Sequence, residues 1–135
     1  MNEVTINYLL SGTDGTELLF ETTGTLYEEN EIKILNFVEE TEDSIRTKVI
    51  IHKDYVELLR SGIITMYTSF VKSKETLMVI STIFGHKIEM LTKTITLIIN
   101  SDNIYVKYQT EMDKEKNITH TLILKWKNKK YNDLQ

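Results

Sequence analysis

The chain has 135 residues, a net charge of −4, no cysteine and no proline. That length makes one domain, able to bury roughly two thirds of its unfolded surface without staples. The missing cysteines exclude disulfides, thiolate metal sites and a cysteine nucleophile. The acidic start Met1-Asn2-Glu3 reads against a signal peptide, and no apolar run approaches the ~20 residues of a membrane helix, so a soluble, cytoplasmic protein with no membrane partner is expected.

Alanine is absent, whereas isoleucine (17), valine (7) and threonine (18) are abundant. Their stiff side chains suit pleated surfaces and disfavour helices. Residues 1 to 57 carry a net charge of −9 and residues 58 to 135 one of +5; this reads first as solvated outer faces and second as a docking patch.

In chain order, Val4, Ile6, Tyr8 and Leu10 alternate with Thr5, Asn7 and Leu9 as a first strand, and Gly12-Thr13-Asp14-Gly15 supplies a hairpin turn. The second strand faces Leu18, Phe20, Thr22, Gly24 and Leu26 inward, with Gly24 marking a bulge or a tight bend. Glu28 to Glu31 turns the chain into a third strand, Ile32 to Glu39, where Ile34 and Phe37 cannot both point inward without a bulge. After an acidic turn, Glu40 to Ser44, the fourth strand places Ile45, Thr47, Val49 and Ile51 inside, and Lys53-Asp54 turns it.

The next stretch, Tyr55 to Phe70, organises the rest. Its inward set is Val56, Leu58, Arg60, Gly62, Ile64, Met66, Thr68 and Phe70. Gly62 either splits it into two strands or bends one. Arginine stays ionised, so an inward Arg60 requires a carboxylate, carbonyls, water or a bound anion. Following the turn at Ser73 to Glu75, Leu77, Val79 and Ile83 compete with Met78, Ile80 and Phe84 for the interior, the pattern of a strand covered on both sides or meeting another chain. Gly85 ends that strand. From Lys87 the alternation starts with Ile88 and Met90, slips at Met90-Leu91 and continues as Leu91, Lys93, Ile95, Leu97 and Ile99, which calls for a bulge near Thr92. Ile104, Val106, Tyr108 and Thr110, then Ile118, His120, Leu122, Leu124 and Trp126, form a closing hairpin. Residues 128 to 135 read as a polar tail after a domain spanning residues 1 to 127.

Eight to ten strands joined by hairpins, with no helix signature, fit an all-β, antiparallel up-and-down barrel closed on itself. Arg60-Ser61-Gly62 with Met66 and Phe70, then Phe84-Gly85 and the threonines at 92 and 94, resemble the YwiB-like family of uncharacterised bacterial proteins, a domain of unknown function. Phe20 to Gly24 with Tyr27, and Ile104 to Trp126, match further segments, so the resemblance covers nearly the whole chain. It implies a calycin-like barrel, related in shape to lipocalins and fatty-acid-binding proteins, with no assigned activity. The turn at Gly12 to Gly15 leaves no room for the helical lid of fatty-acid-binding proteins, and Trp126 lies at the wrong end for the lipocalin signature.

The inward polar residues Arg60, Tyr8, Thr22, Thr92, Tyr108 and His120 form the candidate ligand-binding set; Gly24, Gly62, Met66, Phe70 and Gly85 are structural. One reading has Arg60 binding the acid group of a small anionic or amphipathic ligand. The other has it paired with a glutamate such as Glu89 or Glu21. His52, His86 and His120 are scattered, so neither a metal nor a cofactor is expected. No nucleophile elbow, phosphate loop or dinucleotide fingerprint occurs. The basic edge of Lys125, Lys127, Lys129 and Lys130 reads as a protected strand rather than a nucleic-acid surface.

Three functions remain. The first is a binding barrel, for which Arg60→Met should abolish capture without loss of fold. The second is an interaction or homodimerisation module with a side-chain-filled barrel, working through Leu77 to Phe84. An enzyme using His120 with a neighbouring carboxylate ranks last.

Overall fold

The computed structural model describes residues 1–39, 44–113 and 116–129. Ten strands follow one another: β1 (Asn2–Gly12), β2 (Glu17–Glu29), β3 (Ile32–Glu39), β4 (Ile45–Ile51), β5 (Tyr55–Ser61), β6 (Ile64–Val71), β7 (Glu75–Thr82), β8 (Lys87–Ile99), β9 (Asn103–Asp113) and β10 (Lys116–Asn128). Each pairs antiparallel with the next, and β1 pairs with β10 to close the cylinder. Closure gives every strand a neighbour on both sides, although β6 and β7 pair only over Ile64 to Tyr67 and Val79 to Thr82. Among the described residues there is no helix, so none is long and apolar enough to cross a membrane.

The inner wall follows the period-two pattern over most of the chain. Val4, Ile6 and Tyr8 from β1, Val56 and Leu58 from β5, Ile104, Val106 and Tyr108 from β9, and Leu122, Leu124 and Trp126 from β10 are all buried. Tyr55 to Phe70 is two strands, parted at Gly62-Ile63. In β3 the inward residues are Leu35, Phe37 and Glu39, with an unbroken register and no bulge. Ile34 simply belongs to the other face.

The local chemistry of the turns accounts for the register. Asn30 and Glu31 both adopt positive φ (52° and 66°), the backbone twist that a two-residue hairpin between β2 and β3 requires. Gly85 has φ +85° in the β7–β8 turn, a conformation that glycine adopts without penalty. The acidic turn expected at Glu40 to Ser44 lies, apart from Ser44, outside the described residues, as does residues 130–135 of the expected tail. Asn128 still belongs to β10, and the Lys129 amide donates to the Glu3 carbonyl, 3.0 Å away.

Two expectations about backbone irregularity need correction. Gly24 is not a bulge against β1, where the register runs through it opposite Val4, and toward β3 it is the last paired residue of the ladder, opposite Phe37. It is a point of close approach, where a Cβ would lie 2.4 Å from the Asn36 carbonyl oxygen and 2.7 Å from the Ile6 side chain. The bulge in β8 sits at Ile95 and not near Thr92, because the pairing passes from Thr94 opposite Tyr108 to Thr96 opposite Lys107. Thr92 and Thr94 are therefore buried, whereas Leu91 and Ile95 are exposed.

Candidate functional site

The hairpins β1–β2, β5–β6, β7–β8 and β9–β10 gather at one end of the barrel, and the interior is packed differently there. Below, core side chains fill the cylinder. At the hairpin end they leave a cavity of about 260 Å³. Its apolar lining is Leu10, Leu58, Met66, Met78, Met90 and Ile118. Its polar lining is Tyr8, Thr16, Arg60, Tyr108, Thr110 and His120. Three methionines on adjacent strands make a wall that adapts to irregular shapes at little cost.

Arg60, near the end of β5, finds its carboxylate in Glu39, the last residue of β3. Nε donates to Oε2 at 2.9 Å and Nη2 to Oε1 at 2.8 Å, a planar fork-to-fork pair. The Thr47 hydroxyl adds a donor to Glu39 Oε2 at 2.5 Å. The Glu39 side chain is fully buried and that of Arg60 is 22% exposed. Burial opposes the guanidinium's charge, but Glu39 and the two tyrosines overcome that, so its pKa ends above the usual arginine value. Glu21 and Glu89, the partners named from sequence, are exposed.

The aromatic residues pack in a chain leading to the opening. The Phe70 and Tyr108 rings lie 4.7 Å apart, and Tyr108 stacks on His120 at 4.8 Å. Tyr8 stacks on Phe20 at 4.8 Å beside Phe37. Burial pushes the Tyr108 phenol up to about 12 and raises that of Tyr8 further, against the pull of Arg60, so both keep their protons at neutral pH. The His120 Nε2 is 2.9 Å from the Thr110 hydroxyl, and its Nδ1 is buried with no partner among the described residues. Desolvation lowers its pKa, which Asp14 partly counteracts. Among the described residues the hydrogen-bond partner of His120 is the Thr110 hydroxyl and no carboxylate.

Of the six residues singled out by sequence, Arg60, Tyr8, Tyr108 and His120 come together on the cavity. Thr22 and Thr92 do not line it. Thr22 donates to the Val38 carbonyl at 3.3 Å, and the Thr92 hydroxyl is buried without a partner among the described residues. Met66 lines the cavity and Phe70 supports it. Sequence reasoning missed Glu39, although the odd-numbered phase of Leu35 and Phe37 was the signal that would have placed it inside. His52 lies on the outer wall, 2.7 Å from Glu57 and stacked on Tyr55. Among the described residues no cluster of three histidine or acidic side chains is placed to hold a metal.

Comparison with known proteins bears on this arrangement. The profile of the family described as Domain of unknown function (DUF1934) matches residues 4–124. The chain belongs to this family. The crystal structure of ywiB protein from Bacillus subtilis is similar, with a TM-score of 0.74 at 21% identity, over 96% of this chain and 93% of that one. The DUF1934 chain therefore shares the barrel fold of that protein. Ail, the attachment invasion locus protein of Yersinia pestis, solved with sucrose octasulfate, aligns at 15% identity over 93% of this chain and 96% of that one, with a TM-score of only 0.22. No curated protein matches.

Proposed function

We propose that this DUF1934 barrel is a capture protein that holds one small amphipathic molecule at its hairpin end, in the manner of a calycin. The observation that carries this reading is the cavity itself, which combines a methionine-rich wall with Arg60, Tyr108 and His120 converging from β5, β9 and β10. Ligand sites are largely apolar concavities with a few placed polar groups, typically about 300–1,000 Å³. A volume of about 260 Å³ fits a small occupant. Arg60 acts here as part of a neutral pair with Glu39, orienting the ligand's polar end.

Native mass spectrometry of protein purified from its own host tests this directly, with a retained small molecule as the expected result. Filling the cavity by Met78→Trp should remove that molecule while the near-ultraviolet spectrum keeps the features of a folded barrel. Protein that carries nothing, and that binds no medium-chain amphiphile in calorimetric titration, would overturn the reading.

A second reading, homodimerisation, is favoured by the exposed apolar rim of the same end. Ile63, Ile83 and Phe84 are 63%, 68% and 82% exposed, and Ile64 and Thr82 pair directly, which brings the two hairpin tips together. Exposed clusters of this kind mark interaction surfaces. On this reading light scattering finds a dimer that Phe84→Ser converts to a monomer. A monomeric wild type removes it.

A further inference from the structure

The charge balance around the cavity narrows the ligand class, and this step rests on the capture reading above. Arg60 and Glu39 cancel. Both oxygens of Glu39 are occupied, by the guanidinium and by the Thr47 hydroxyl. A guanidinium has five N–H donors, and the pair uses one on Nε and one on Nη2, so three remain. Tyr8 and Tyr108 line the same space with their O–H groups intact, and neither donates to a described side chain. Among the described residues the wall is thus rich in donors and has no net charge.

We infer that the cavity selects an uncharged amphiphile whose polar end is a hydrogen-bond acceptor, such as the carbonyl of a ketone, ester, lactone or amide, over a carboxylate or an amine. A carbonyl oxygen accepts from Arg60 and Tyr108 without disturbing the Glu39 pair. A carboxylate would bring a second negative charge beside a fully buried one, and its attraction to Arg60 is offset by repulsion from Glu39. Its own desolvation is then uncompensated. An ammonium head faces the mirror problem at Arg60. The apolar end of the ligand lies against Met66, Met78 and Met90, and beyond them Ile64 and Ile88 continue the same strands past the opening.

The test is a calorimetric titration of the full chain at pH 7.5 with 2-octanone, octanoate, octylamine and octane, which share a tail and differ in head. The ketone is expected to bind at least about tenfold more tightly than octanoate or octylamine. Tyr108→Phe keeps the ring stack and removes one donor, so it should weaken the ketone several-fold and leave octane unchanged. Glu39→Gln frees the guanidinium and should move the preference toward octanoate. Octanoate binding as tightly as the ketone in the wild type, or a ketone affinity indifferent to Tyr108→Phe, overturns the inference while capture stands. If none of the four compounds binds, capture itself fails. Should Glu39→Gln not fold, the wild-type series and Tyr108→Phe decide the matter.

Discussion

The Glu39–Arg60 pair is asymmetric in its dependence on its partners. The glutamate side chain is sealed, whereas the arginine reaches the opening and retains some solvent. Removing the arginine strands a buried carboxylate, which costs about 3–5 kcal/mol. Arg60→Met is therefore a folding variant as much as a binding one, contrary to the expectation formed from sequence. Glu39→Gln should cost less, because water can reach part of the guanidinium. The double variant Glu39→Gln/Arg60→Met should recover most of the loss, as both charges leave together; urea unfolding of the three proteins checks the order. Lysine at position 60 would not substitute, since it has no planar fork for the two Glu39 oxygens.

His120 gives the same end of the barrel a pH dependence. Its folded pKa lies below the ordinary histidine value because burial disfavours the charged ring. The unfolded chain thus binds the proton more readily, and stability rises with pH across that window. The contribution is complete above the unfolded histidine pKa of about 6.5 and is lost as the pH falls toward the depressed folded value. Thermal melts of wild type and His120→Gln should diverge least near pH 5 and most above pH 7. A constant difference would show that the imidazole's proton plays no part.

At the scale of strands, two glycines make opposite demands. Gly24→Ala drives a methyl into the Asn36 carbonyl and the Ile6 and Phe37 side chains, so a loss of at least about 1–3 kcal/mol is expected from overpacking. Gly85→Ala meets no atom within 4 Å, and its cost of about 1–2 kcal/mol comes from the left-handed backbone alone. Measured unfolding energies should rank them in that order. Most strands were readable because aliphatic residues alternate with polar ones, which is why Arg60, Tyr108 and His120 were placed inside correctly. In β8 Thr92 was placed inside correctly, but the alternation was misread around it, because Thr94 joins it inside while Leu91 and Ile95 face out. A buried threonine looks polar to a hydropathy pattern. The slip was thus assigned four residues too early, at Leu91 instead of Ile95. Glu39 was hidden for the same reason: a carboxylate on an inner face reads as the start of the acidic turn that follows it.

The whole molecule is a ring of strands in which sequence order and spatial order coincide except at one joint, β1 against β10. The joint pairs Val4 with Asn128 at one end and Gly12 with His120 at the other. It must form between distant parts of the chain, so folding should be slow for the size, on the scale of about milliseconds to seconds typical of non-local β topologies. Stopped-flow refolding followed by the fluorescence of Trp126, which is buried in β10 opposite Ile6, reports that closure. Weakening the joint by Leu124→Ala should slow refolding if closure limits the rate, and should act only on unfolding if it does not.

Lys129 bonds back to Glu3 through both backbone and side chain, the Nζ lying 3.1 Å from the carboxylate. A cylinder whose first and last strands are already neighbours has no privileged starting point. A short glycine–serine bridge from residue 129 to residue 1, with new termini cut at the β7–β8 tip, would rewrite the gene order of the strands and keep every ladder. Such a permutant carries its free ends at the rim of the cavity, where a fused reporter would sense whatever enters.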